Sequence, residues 1–162
     1  MTRFISTTST ESSGSDDRFS PSVEEELRAA GWIPGRRIDT KVWTAPFEAA
    51  GLPAHEAARK FLSEFGGLRF MFSGPGIECA RESFELDPSA CEGEEEVFLE
   101  WGEELGLSLF PIGQKGQGVD YMAINEVGEI CSLGSLVGCY GKVPQAFERL
   151  LLGLKFEIIG RQ

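Results

Sequence analysis

One histidine, His55, occurs among the 162 residues. In His55-Glu56-Ala57-Ala58-Arg59 the fifth position is Arg, where a helical zinc-protease site needs a second His. With no other histidine to complete a metal shell, His55 reads as a polar group in the first turn of a helix. The four cysteines, Cys79, Cys91, Cys131 and Cys139, are scattered and form no C-x-x-C pair, so reduced thiols are expected. A reactive thiol needs nearby cations or a helix N-terminus to lower its pKa. Cys91 instead precedes Glu92-Gly93-Glu94-Glu95-Glu96, and Cys79 follows Glu78 with Arg81 two residues on. Cys131 and Cys139 lie in apolar, strand-like stretches and read as core. Gly113-Gln114-Lys115-Gly116-Gln117-Gly118 superficially suggests a phosphate cradle, but it lacks the Gly-Lys-Ser/Thr ending and no helix follows it. It is predicted as a loop between two strands, where Lys115 and Gln117 could contact a partner. Paired carboxylates abound, but acid–base chemistry needs two groups in different environments. No catalytic residue, metal site or cofactor is expected.

The acids carry more information by their placement. The chain has 15 basic and 26 acidic residues, a net charge of -11. Nucleic acid is therefore excluded as a partner, since binding it requires cations against phosphate. Anionic membrane surfaces are excluded on the same ground. Residues 78–104 hold eleven acids against the single base Arg81, which leaves the rest of the chain almost neutral. On a helix, Glu96, Glu100, Glu103 and Glu104 would form one outward stripe opposite Val97, Phe98 and Trp101. Like charges at this spacing cost helix stability. Concentrated on one face, they would instead steer a cationic partner.

The elements that must position this stripe follow from pattern. The Ser/Thr-rich residues 1–19 are too polar to bury a core and read as a flexible tail. The folded domain is assigned to residues 20–162. Ser20-Pro21 is a helix start, with Val23, Leu27 and Ala30 at helical spacing and Gly31 as the stop. Trp32 is expected to fold back onto the core. A second helix is placed near 42–50, with Pro46 disturbing its register, and a third over 53–65, ended by Gly66-Gly67. Alternation then predicts strands at 68–72 and 83–87, separated by the turn Ser73-Gly74-Pro75-Gly76. Helical spacing returns at 94–105. Strands are placed at 107–112 and 119–124, a hairpin partner at 129–132, and a closing helix at 144–154. This order predicts an α+β single domain with a mainly antiparallel sheet, N-terminal helices, one inserted helix and a C-terminal helix.

Residues 20–155 resemble the SUKH immunity-protein superfamily of bacterial polymorphic-toxin systems, in particular its third subfamily. The carriers are Leu27-x-x-Ala30-Gly31-Trp32-x-Pro34-Gly35-Arg36 and Ala58-x-x-Phe61-Leu62-x-x-Phe65-Gly66-Gly67-Leu68. Further blocks are Phe84-x-x-Asp87-Pro88, Leu105-Gly106-x-x-Leu109-Phe110-Pro111-Ile112-Gly113 and Ala146-Phe147-x-x-Leu150-Leu151-x-Gly153. The resemblance implies a protein without catalytic activity that binds a cognate toxin, often a nuclease or nucleic-acid deaminase. Such toxins are commonly basic, and Glu92, Glu94, Glu95, Glu96, Glu100, Glu103 and Glu104 are the residues expected to meet one. A non-catalytic scaffold or regulatory adaptor is the first alternative, and a small cysteine hydrolase the second. No signal-peptide stretch follows Met1, so a cytoplasmic protein is expected; its oligomeric state is not read from the sequence, with a monomer favoured.

Overall fold

The computed structural model describes residues 17–72 and 74–162. Residues 1–16 of the expected tail, and Ser73 of the expected turn, lie outside the described residues. Phe19, assigned to the tail from sequence, belongs to the core: its ring packs edge-on against Trp32, Phe65 and Phe147.

Three helices open the domain. In α1 (Pro21–Ala29), the Ser20 hydroxyl accepts from the Val23 amide, Pro21 occupies the first turn, and Val23 and Leu27 are buried. Helix α2 (Lys41–Ala49) tolerates Pro46 inside it and buries Thr44 and Phe47. Helix α3 (Glu56–Phe65) buries Ala58, Phe61, Leu62 and Phe65 along one stripe. It is capped by His55, whose Nδ1 accepts from the Ala58 amide at 3.1 Å. The other ring nitrogen, Nε2, lies 3.0 Å from the Ser108 carbonyl. The histidine is therefore one residue ahead of the expected first turn, with both ring nitrogens engaged.

A seven-stranded antiparallel sheet follows, each strand pairing with its neighbours in sequence. Its members are β1 (Arg69–Phe70), β2 (Phe84–Glu85), β3 (Phe110–Lys115), β4 (Asp120–Ile124), β5 (Ile130–Leu133), β6 (Leu136–Gly141) and β7 (Glu157–Arg161). A 3-10 turn at Pro88–Cys91 and helix α4 (Glu95–Leu105) are inserted between β2 and β3, and α5 (Gln145–Leu152) between β6 and β7. The predicted class holds: an α+β single domain with one antiparallel sheet. β6 was foreseen only as a strand-like stretch around Cys139, without bounds, and β7 was not foreseen.

β3 begins three residues later than predicted. The α4 chain end is tied back by the Leu107 amide to the Gly102 carbonyl at 2.8 Å, so the chain turns before it can extend. The strand then runs on through the glycine-rich run. At Gly113 the register slips, and a Cβ there would collide with the Glu85 carbonyl of β2. The connecting turn is confined to residues 116–119.

Side chains alternate across a strand, so Tyr121 of β4 faces opposite to Met122 and Ile124. Ile124 pairs with Phe110, whose ring meets Phe47 of α2 at 5.5 Å. Phe70 of β1 meets Phe147 of α5, which also packs against Phe61 and Phe65 of α3. Helices α2, α3 and α5 therefore share one face of the sheet, and α1 packs beside α5 to make the fourth helix of this layer. Phe98 of α4 packs on Tyr121 at 5.8 Å, which places α4 on the other.

Candidate functional site

Helix α4 is anchored by three residues and leaves the rest to solvent. Phe98, Trp101 and Gly102 are buried, and Val97 and Leu105 pack partly against the core. Gly106 closes the helix in the left-handed region, φ +70°, its amide reaching the Gly102 carbonyl. Glu92, Glu96, Glu100, Glu103 and Glu104 are exposed, while Glu94 and Glu95 are half-buried at the helix start. Glu95 accepts from the Gly93 amide at 3.0 Å. Burial, and after it the charge of Glu94, raises the Tyr121 phenol above its ordinary pKa. Leu99, 47% exposed, interrupts the carboxylates with an apolar side chain.

The eleven acids of residues 78–104 divide into two sets. Four are used inside the fold. Glu78 accepts from the Lys155 amide at 2.7 Å, and the Asp87 carboxylate takes the Ser89 amide and hydroxyl. Glu82 pairs with Lys115, and Glu85 pairs with Arg69 at 3.2 Å. The other seven are the glutamates of α4 and its approach. Among the described residues, no cation comes within ion-pair distance of any of them. An open cleft of about 400 Å³ runs beside this face, lined by Val97, Glu100, Trp101, Glu104, Arg161 and Gln162. It lies where the last residues of β7 pass under the helix.

Lys115 and Gln117, expected together on a loop, are separated. Lys115 is in β3 with its side chain only 8% exposed, held by Glu82 and by Asp120 at 3.8 Å. Its placement as a surface contact is corrected: strand alternation turns it inward, and the two carboxylates allow the burial. Burial alone would lower its pKa, but Tyr140, Glu82 and Asp120 more than offset this and the net shift is upward. Gln117 is exposed at the β3–β4 turn with φ +57°. It borders a different cleft, of about 280 Å³, with Arg69, Met71, Phe84 and Gln114. None of the seven glutamates lines that cleft.

All four cysteines are free. Cys91 is buried and donates to the Gly113 carbonyl at 3.2 Å, and burial pushes its thiol up to about 12. Cys131 and Cys139 are buried, as expected, but they stand directly opposite one another on β5 and β6. Sequence reasoning missed this pairing. The signal was present: Ser135, preceded by Gly134, lies midway between two cysteines eight apart, as a short hairpin loop would place it. Among the described residues, no group of three or more His, Cys, Asp or Glu is arranged to hold a metal ion. Nor, among them, is any helix long and apolar enough to cross a membrane.

No curated protein and no solved structure matches the chain. Residues 19–153 match the family model described as SUKH-3 immunity protein, a span that begins at the buried Phe19 and ends at the glycine closing α5. The chain belongs to the SUKH-3 immunity protein family.

Proposed function

We propose that this protein neutralises a cognate bacterial toxin by stoichiometric binding, without catalysis, and that the outer face of α4 receives a basic surface of that toxin. A nuclease or nucleic-acid deaminase fits best, because an enzyme that handles phosphate must present cations, and occluding them stops it. One observation carries the reading: seven glutamates converge on one helix and its approach with no cation within ion-pair distance among the described residues, while four acids close by are used to hold the fold. Solubility alone would intersperse both signs. Exposed ion pairs contribute only about 0–1 kcal/mol each, so an apolar anchor is needed as well. Leu99, in the stripe, and the cleft beside Trp101 supply one. In this reading the protein acts in the cytoplasm, where such a toxin would act.

The test is association kinetics with the cognate toxin, recovered by pull-down from the native strain and identified by mass spectrometry. Changing Glu96, Glu100 and Glu103 together to Lys should slow association about tenfold or more at low salt and flatten its salt dependence. An unchanged rate and unchanged salt slope would remove the α4 face from the mechanism.

A further inference from the structure

We infer that Cys139 is a site of oxidative thiol modification, which a hydroperoxide converts to a disulfide with Cys131 across the β5–β6 hairpin. The pair is in direct register, Cys131 opposite Cys139. Opposed residues of antiparallel strands have Cα atoms about 4.5–5.5 Å apart, inside the span that a disulfide bridges without moving the backbone. Both side chains point to the same face of the sheet.

The two thiols are not equivalent. Cys131 is fully buried, whereas Cys139 retains 8% exposure and borders an open cleft of about 390 Å³. The cleft forms because β7 starts opposite Cys139 and leaves the rest of the β6 edge uncovered. Arg149 and Lys155 line it, together with Glu129 and Glu157. A small oxidant thus meets Cys139 first and finds Cys131 directly behind it. The Cys131 thiol donates to the Cys139 sulfur, the largest influence drawing the Cys139 pKa below that of an ordinary thiol. The Gly141 amide adds to it, while burial, Glu129 and Glu157 oppose it. Cys131 is shifted the opposite way by the same hydrogen bond.

The chemistry balances with the peroxide as sole oxidant. The Cys139 thiolate attacks one peroxide oxygen; the S–O bond forms, the O–O bond breaks, and the departing hydroxide takes a proton to become water. Cys131 sulfur then attacks the sulfenic sulfur; the S–S bond forms, the S–O bond breaks, and its oxygen leaves as a second water. The two thiols together lose two electrons and two protons.

The test uses the full reduced chain at neutral pH with limiting iodoacetamide and peptide mapping. Cys79 is the more exposed thiol, so accessibility alone would label it first. The inference requires Cys139 to be alkylated about tenfold faster than Cys79 or Cys91. Hydrogen peroxide should then make the peptide carrying Cys131 and Cys139 two hydrogens lighter and resistant to alkylation. In Cys131→Ser, where a hydroxyl still donates, peroxide should leave a dimedone-trappable sulfenic acid on Cys139. Preferential labelling of Cys79 or Cys91, or a peroxide-treated wild-type peptide with both thiols still alkylatable, would overturn it, and neither readout depends on the variant folding.

Discussion

The two faces of the sheet use similar residues to opposite ends. On the four-helix face, polar groups are spent internally. The Arg36 guanidinium donates to the carbonyls of Glu64 and Gly66, and the Glu64 carboxylate takes the Trp32 indole and pairs with Arg18. Four phenylalanines, two from α3, one from β1 and one from the segment before α1, converge on Phe147 there. On the α4 face, one helix is held by Phe98 and Trp101, and among the described residues its carboxylates have no cationic partner. A carboxylate that serves stability is recognised by what it touches. One available for binding is recognised by a repulsion that the helix tolerates without internal compensation.

Three variants probe this contrast. The largest effect is expected at Phe147→Ala, which opens a cavity among Phe19, Phe61, Phe65 and Phe70. It should destabilise the fold by about 3–5 kcal/mol in chemical denaturation, and a loss below about 1 kcal/mol would mean that the aromatic face is not the stabilising one. Next is Lys115→Met. Its carboxylate partners are partly exposed and rehydrate, so the expected loss is about 1–2 kcal/mol at neutral pH. Because the folded-state pKa of Lys115 is raised, its contribution is fully present below the ordinary value of 10.5 and is lost as pH rises through the raised one. The gap between wild type and variant should therefore narrow in strongly alkaline denaturation series, and a gap constant with pH would refute the ion-pair account.

The smallest effect on the fold, and the sharpest on the comparison, concerns the last turn of α4. Glu103 and Glu104 oppose the helix dipole, and no basic residue lies in that turn. Changing both to Lys should raise stability by about 0.3–1 kcal/mol, measured as a higher thermal midpoint, while weakening capture of the toxin. A double variant that loses stability would show these carboxylates to be structural after all.

Legibility in the sequence followed the same division. α4 was predicted to within a residue because half-exposed helices keep a clean 3.6-residue period, and its acidic stripe came with it. β6 was read only as a strand-like stretch around Cys139 because Val137 to Tyr140 is buried on both faces and Gly138 breaks the run, which leaves no alternation to set its bounds. β7 follows α5 after a short connection and is an edge strand with mostly exposed residues, so hydrophobic pattern gave no sign of it. Lys115 was misplaced because lysine and flanking glycines suggest a loop, whereas its carboxylate partners are set by the sheet: Glu82 comes from a distant position, and Asp120 stands opposite it across the β3–β4 turn. Phe19 was lost to the polar stretch before it, which gives no periodicity from which a single buried ring can be read.

The order of the strands has a consequence for synthesis. From β1 to β7 each new strand docks on the one made just before it, so the sheet can zip together as the chain leaves the ribosome, with little loop-closure entropy outstanding. The opening helices cannot finish in that way. Their aromatic side chains wait for Phe147, more than eighty residues after α3 has been made. Maturation is thus gated by the penultimate element, and a truncated product ending before it would carry a formed sheet beneath an unsealed, sticky layer of phenylalanines.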